Sequence, residues 1–364
     1  MFELLKQGVP YRADTRPAHI EYHKIFDTIR ETGAHHFLHG VAIEEWCGKL
    51  YACFAFNENS ENSVTERLMY CVSEDGGRRW SKPEYISQRA EYANSHSVFL
   101  AREDALWCFG SNFMGLSKER PVTKKGKLSI KFSALQTEGW RFDGERWQSV
   151  GIVCDGFWPL NAPVKLADGN YMMSGCSTEW LGAVAISHGE DLTKWDVILP
   201  DTDGEVYTEA GAWADGENVM LVLRNGSLRS GNKFHAAVSF SSDYGRTFSV
   251  CELSNLPMAT TKPFCGRLAD GRPFLVFNES IEGMPHDRSR LLLGIGEKGT
   301  FCLNNLYPID EGAPSEGGRL WLSYPYAKQI GDKLYVVYSC DSAPKKGANN
   351  NDAMLAIIDM DSLI

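Results

Sequence analysis

Ser73-Glu74-Asp75-Gly76-Gly77-Arg78-Arg79-Trp80 is answered about 170 positions later by Ser241-Ser242-Asp243-Tyr244-Gly245-Arg246-Thr247-Phe248. Both read S-x-D-x-G-x-[RT]-[WF]. A serine and an aspartate able to hydrogen-bond their own turn, a glycine free to take positive φ, and an aromatic that re-enters the core describe a self-contained β-hairpin. One copy is a turn, whereas two make a repeat, and a repeat at a period of tens of residues decides the fold before any single strand does.

Weaker copies give the period. Short turns followed by an alternating apolar strand occur at Gly48-Lys49-Leu50-Tyr51, Glu103-Asp104-Ala105-Leu106-Trp107, Asp168-Gly169-Asn170-Tyr171, Asp215-Gly216-Glu217-Asn218, Asp270-Gly271-Arg272-Pro273 and Gly331-Asp332-Lys333-Leu334-Tyr335. They stand roughly 47 to 65 residues apart, the length of a four-stranded blade with one long connection. Six such turns predict an all-β, six-bladed β-propeller with four-stranded antiparallel blades. Degenerate octapeptides at Ser187–Trp195 and Gly294–Phe301, and the segment Phe142–Trp147, fall where further blades would close. All of these are read as folding elements on the rim.

The 364 residues carry no Pro/Ser-rich linker, charge block or low-complexity tract, so one propeller domain is expected over 1–364. Residues 1–35 form an N-terminal segment that packs on or closes the ring, with a weak helical look from Tyr22 to Thr32. A net charge of -10 argues against nucleic acid, whose phosphates demand a basic face. An acidic sugar remains compatible, because a few arginines converging in a pocket outweigh the distant surface field. Met1-Phe2-Glu3-Leu4-Leu5-Lys6 lacks a signal-peptide pattern and no stretch approaches a membrane span. Cys53, Cys71, Cys108 and Cys340 sit inside strand-like runs as small hydrophobes would. A reduced, cytoplasmic protein without a metal site or cofactor is the expectation.

The octapeptide resembles the Asp-box of the sialidase superfamily, and the resemblance extends from about Gly40 to Leu363. It implies a six-bladed propeller whose loops meet over a central pocket. It does not by itself fix a reaction, because glycosidases, lyases and sugar-binding proteins share the motif. The departures from the sialidase pattern are similar to those of a bacterial sialidase-like, BNR-repeat branch.

Tyr207-Thr208-Glu209-Ala210, followed by a DG turn and Val222-Leu223-Arg224-Asn225, resembles the family segment that supplies a glutamate polarising the nucleophile and an arginine gripping the substrate carboxylate. A cross-strand salt bridge is the plain structural alternative for Glu209 and Arg224. Leu322-Ser323-Tyr324-Pro325-Tyr326-Ala327, leading into Gly331-Asp332, is similar to the nucleophile segment, with Tyr324 the better fit and a core tyrosine the alternative. A neutral phenol suits an anomeric centre beside a carboxylate, since it avoids like-charge repulsion and a neighbouring base can take its proton. Counting back about twelve residues from Ser73 to the family's acid position reaches Glu61, with Glu58 and Glu66 as rivals; a glutamate serves if the pocket raises its pKa.

The family's first-blade F-R-I-P is replaced by His36-Phe37-Leu38-His39-Gly40-Val41, so one arginine of the three-arginine clamp is missing and His39 stands nearby. The remaining arginine is open among Arg288, Arg290 and Arg319, with Arg267 added. His96 enters the second blade at the phase of His39, and Trp158 could stack on a sugar; for both, a purely structural role is the alternative.

Three functions follow. The first is an exo-acting, sialidase-like glycoside hydrolase that removes a terminal sugar, with acidic sugars among the candidates. It would use Tyr324 as nucleophile, Glu209 as base and Glu61 as acid. The second is a polysaccharide lyase using His39, His96, Tyr324 and Arg224 on a uronate. The third is a non-catalytic glycan-binding propeller. In each the partner is a carbohydrate.

Overall fold

The computed structural model of the chain describes all residues except 11–15, 18, 35, 58–60, 88–90, 228–234, 281–287, 312–313, 316–317, 320, 342–350 and 364, and only the backbone of 314–315, 318–319, 341 and 351. Six four-stranded antiparallel sheets form the propeller. Blade 1 is Phe37–Trp46, Lys49–Asn57, Arg67–Ser73 and Glu84–Ser87; blade 2 is Ala93–Arg102, Ala105–Phe113, Gln136–Phe142 and Trp147–Asp155. Blade 3 is Phe157–Lys165, Tyr171–Ser177, Gly182–His188 and Asp191–Ile198; blade 4 is Tyr207–Asp215, Asn218–Asn225, His235–Ser241 and Glu252–Pro257. Blade 5 is Phe264–Arg267, Pro273–Asn278, Arg290–Gly296 and Leu303–Glu311. Blade 6 takes Trp321–Ile330, Lys333–Asp341 and Asn351–Asp359 from the C-terminal part of the chain and its outermost strand, Ile20–Phe26, from the N-terminal part.

The first strand of each blade packs against the first strand of the next, round to blade 1 again, which makes these six strands the hub. Every one of the six turns read from the sequence joins a hub strand to its second strand, from Trp46 opposite Lys49 in blade 1 to Ile330 opposite Lys333 in blade 6. Asp-type turns close the third strand onto the fourth. In blade 1 Ser73 Oγ accepts from the Gly77 amide at 2.9 Å and Asp75 accepts from the Arg79 amide at 2.8 Å. In blade 4 Gly245 N–H reaches Ser241 at 2.9 Å and Thr247 N–H reaches Asp243 at 2.9 Å.

Gly77 has φ 93°, and a Cβ there would stand 2.6 Å from Leu355 of blade 6. The turn therefore serves as a wedge between neighbouring blades, open to glycine alone. Blades 2, 3 and 5 carry the degenerate copies at the same place in the sheet. Blade 6 has none because its third and fourth strands come from distant parts of the chain.

The weak helical reading of Tyr22–Thr32 is corrected. Ile20–Phe26 is a strand, pairing Ile20 with Ile358 and Phe26 with Ala353, and only Thr28–Thr32 is helical. That single turn is held by Asp27, which accepts from the Arg30 amide, and by Gly33 at φ 75°. An apolar face offered by the last blade outweighs the local preference of a short segment. Phe2 to Lys6 lie along blades 4 and 5: the Leu4 and Leu5 amides both donate to Asn255 Oδ1 at 2.9 Å, and the Lys6 amide donates to the Leu303 carbonyl at 2.8 Å.

Candidate active site

Five hub strands break register near the end that faces the central well: between His39 and Ala42, Asn94 and Ser97, Pro159 and Asn161, Thr208 and Ala210, and Ser323 and Tyr326. A bulge inserts an extra residue and turns a side chain out of the regular alternation. The displaced residues include His96, Glu209 and Tyr324, and the shift beside His39 is made by Gly40 and Val41. Glu209 at φ 34° and Tyr324 at φ 54° occupy left-handed backbone that non-glycine residues seldom take. Strain of this kind persists where the surrounding structure over-determines it and gathers at functional sites. Gly40, at φ 62°, leaves space for the His96 ring, whose Cδ2 lies 2.4 Å from where a Cβ would stand.

The well is a cavity of about 430 Å³. Tyr324 Oη donates to Glu209 Oε1 at 3.0 Å, and Arg224 Nη1 donates to Glu209 Oε2 at 2.6 Å. Arg224 Nη1 also lies 3.5 Å from Tyr324 Oη, and its guanidinium stands 5.0 Å from the centre of the Trp180 ring. The cross-strand ion pair and the site arrangement weighed for Glu209 and Arg224 are thus one structure, since Thr208 faces Arg224 across the first two strands of blade 4. Burial pushes the Tyr324 phenol well above its ordinary range; the Glu209 charge adds to this, while Arg224 and Arg288 oppose it. The phenol is neutral, so it becomes a nucleophile only as its partner carboxylate takes the proton.

Of the third-arginine candidates whose side chains are described, Arg288 is the one that reaches the well. It lines the well, donates from Nη1 to Ser323 Oγ at 3.0 Å and stands 5.4 Å from the centre of the Tyr324 ring; its Nε is buried with no hydrogen-bond partner among the described residues. Arg224 and Arg288 therefore offer two guanidinium groups to one cavity.

Glu61 also lines the well, with 54 % of its side-chain surface open, yet it is walled by protein closely enough for desolvation to raise its carboxyl pKa. Arg288 opposes that rise, Glu209 adds to it, and Arg224 opposes it. Glu66, its rival, is fully buried and outside the well. It accepts from Ser95 Oγ at 2.9 Å and from the Asn62 amide at 3.2 Å, and burial pushes it up to about 8. The other rival, Glu58, lies outside the described residues.

His39 Nε2 sits 4.0 Å from Glu61 Oε2, beyond hydrogen-bond reach. Burial, with the nearby charges of His96, Arg288, Lys262 and Arg224, holds the His39 pKa well below normal; burial and Lys262 do the same to His96. Both imidazoles are neutral, and neither substitutes for the missing arginine as a cation.

The other sequence candidates separate. Trp158 is buried in the wall of the well beside His96, ring centres 5.3 Å apart. Arg290 does not line the well: its Nη1 binds Glu279 at 2.8 Å and its Nε binds Glu311 at 2.9 Å, a pairing within blade 5. Arg267 lies by the DG turns away from the well, donating to the carbonyls of Ala214 at 2.6 Å and Gly271 at 2.7 Å. The structure places both outside the well, each bonded to groups of its own neighbourhood. The Arg319 side chain lies outside the described residues.

Two residues at or near the well carry no signal in the sequence. Trp180 comes from the hairpin between the second and third strands of blade 3 and lines the well. Lys262, just ahead of the blade 5 hub strand, is 3 % exposed and donates from Nζ to the Pro325 carbonyl at 2.7 Å. Burial lowers its pKa to about 7 against the opposing charge of Glu209. Among the described residues no group of three or more metal-ligating side chains is present, and no helix is long and apolar enough to cross a membrane.

A model of the BNR repeat-like domain matches residues 143–336, more than half of the chain. The chain belongs to the BNR repeat-like family. Three solved structures place this BNR-repeat propeller among its fold neighbours. A protein of unknown function from Dyadobacter fermentans is similar at 16 % identity and TM-score 0.69, covering 94 % of this chain and 99 % of its own. The K499G mutant of NanB sialidase from Streptococcus pneumoniae is similar at 10 % identity and TM-score 0.65, covering 94 % and 71 %. Trypanosoma rangeli sialidase in complex with the inhibitor DANA is similar at 10 % identity and TM-score 0.62, covering 88 % and 55 %. These identities establish the shared fold. No curated protein sequence matches the chain.

Proposed function

We propose that this BNR-repeat propeller is an exo-acting glycoside hydrolase that removes a terminal acidic sugar by a retaining, two-step route. The reading rests on one observation: a tyrosine and a glutamate, 115 residues apart, meet at 3.0 Å in a well that also holds two arginines. In the first step Tyr324 Oη bonds to the anomeric carbon and Glu209 takes the phenolic proton. The bond to the leaving oxygen breaks as Glu61 protonates that oxygen. In the second, water attacks the same carbon, Glu61 accepts the water's proton, and the phenol departs with the proton held by Glu209. Arg224 and Arg288 grip the carboxylate, charge-assisted bonds being the strongest available for that purpose.

Tyr324→Phe tests this. Hydrolysis of 4-methylumbelliferyl glycosides of acidic sugars should fall by at least about 100-fold with the fold retained. Wild-type turnover in that variant would remove tyrosine from the mechanism.

A further inference from the structure

Tyr324 is held in a conformation that its own sequence opposes. Its φ is 54°, and the next residue is Pro325, whose ring drives the residue before it toward extended backbone at negative φ. Ser323 pairs with Ser339 and Tyr326 with Val337, so Tyr324 and Pro325 together face Tyr338, two residues against one. A bulge of this kind re-aims a side chain, and strained backbone persists only where its surroundings fix it. Pro325 has no N–H to give the ladder and a φ set by its ring, which leaves its carbonyl as the handle by which the bulge can be held.

That carbonyl accepts from Lys262 Nζ at 2.7 Å. Lys262 belongs to the segment 258–263, buried throughout, whose Thr260 Oγ1 lies 3.5 Å from Arg224 Nε. Among the described residues the amine has no other hydrogen-bond acceptor and no ion-pair partner. Its charge is felt by Glu209, His39 and His96, from blades 4, 1 and 2, which sets it near the axis behind the walls of the well. A buried ammonium without a counter-ion is a costly way to satisfy one carbonyl. Burial lowers its pKa to about 7 against the charge of Glu209, so at neutral pH this lysine destabilises the fold. Stability therefore does not account for it.

We propose that Lys262 is a positioning residue for the nucleophile, holding the bulge by the Pro325 carbonyl so that Tyr324 Oη stays on Glu209. The inference rests on the glycosidase reading above. With Pro325 fixed at its ring and at its carbonyl, one soft backbone rotation, ψ of Tyr324, is left between the anchored peptide and the Cα that carries the phenol. Without that hold Tyr324 relaxes toward extended backbone and its hydroxyl leaves the carboxylate, while Arg224 and Arg288 keep their places.

Lys262→Met, of similar length and without a donor, and Lys262→Arg, which restores one, separate positioning from simple support. On 4-methylumbelliferyl glycosides of acidic sugars, Lys262→Met should lose kcat at least about tenfold with KM within about twofold, while its Tm at pH 7 is no lower than the wild type's. Lys262→Arg should recover at least about threefold of that kcat. A crystal structure of Lys262→Met should show Tyr324 Oη beyond hydrogen-bond reach of Glu209, more than about 3.5 Å away. Wild-type kcat in Lys262→Met, or an unmoved Tyr324, overturns the positioning role. So do kcat and Tm lost together without recovery in Lys262→Arg, and a Lys262→Met that does not fold, since each marks a lysine that only supports the structure. If the wild type hydrolyses none of these glycosides, the glycosidase reading falls, and the Tyr324 to Glu209 separation in the Lys262→Met crystal alone decides whether the lysine holds the bulge.

Discussion

Replacing Gly40 by alanine should injure the site through its backbone. At φ 62° the added Cβ must enter left-handed space, which costs an L-residue about 1–2 kcal/mol. It would also stand 2.4 Å from two carbons of the His96 ring, about 1 Å inside ordinary contact, and His96 is itself 3 % exposed with little room to retreat. Overpacking of that order adds about 1–3 kcal/mol, giving about 2–5 kcal/mol in all. Gly48→Ala supplies the control: its φ is 74° but nothing lies within 4 Å of the added atom, so only the backbone cost of about 1–2 kcal/mol applies. With an unfolding entropy of about 0.8 kcal/mol/K for 364 residues, Tm should fall about 3–6 °C for Gly40→Ala and about 1–3 °C for Gly48→Ala. Differential scanning calorimetry of both variants at one pH measures the difference. Equal shifts would refute the claim that Gly40 is fixed by the His96 ring.

Two buried ionisable groups should pull stability in opposite directions with pH. Lys262 keeps its proton to about 10.5 when unfolded and sheds it near 7 when folded, so stability climbs between those values; Lys262→Met should remove a climb on the order of a few kcal/mol, and a Tm series from pH 6.5 to 9.5 that climbs as steeply in the variant would exclude this. Glu66 ordinarily loses its proton near 4.5 but holds it to about 8 in the fold, so its contribution declines as pH rises through that window; Glu66→Gln should abolish the decline and gain on the order of a few kcal/mol at pH 8, read by the same series. Arg288→Lys should lower kcat/KM on an acidic aryl glycoside about 10- to 100-fold by losing the planar fork, while Arg290→Lys should stay within about twofold and lose Tm because Glu279 and Glu311 are left poorly paired. Reversal of those two activity effects would move the clamp back to Arg290.

The rim of this molecule was open to sequence reading because its rules are local. Ser73, Asp75, Gly77 and Trp80 satisfy one another within eight residues, and the six hub turns need nothing beyond their own glycines, asparagines and aspartates. Arg288 could not be chosen over Arg290 by spacing. It leaves the connection before the third strand of blade 5, where no alternation fixes direction, and only its bond to Ser323 across the hub brings it to the well. Lys262 was missed for a different reason: a lone lysine beside threonines and a proline reads as a solvated loop, and its burial is decided by the arrival of Pro325, 63 residues away.

The pair Tyr324 and Tyr326 shows where alternation itself gives out. Two residues apart in a regular strand, they would face the same side of the sheet and have equal claims on the well. The register instead slips between Ser323 and Tyr326, so Tyr324 opens into the well while Tyr326, 1 % exposed, packs against Phe264 with ring centres 4.6 Å apart. Pro325 makes the slip readable after the fact: without an N–H it is poorly suited to a central ladder and well suited to a bulge, and its carbonyl is left for Lys262 Nζ to bind. Glu209 reaches the same well through the bulge between Thr208 and Ala210. The proposed nucleophile and its base are thus both produced by departures from the strand pattern, and a search by strict period-2 faces would discard each of them.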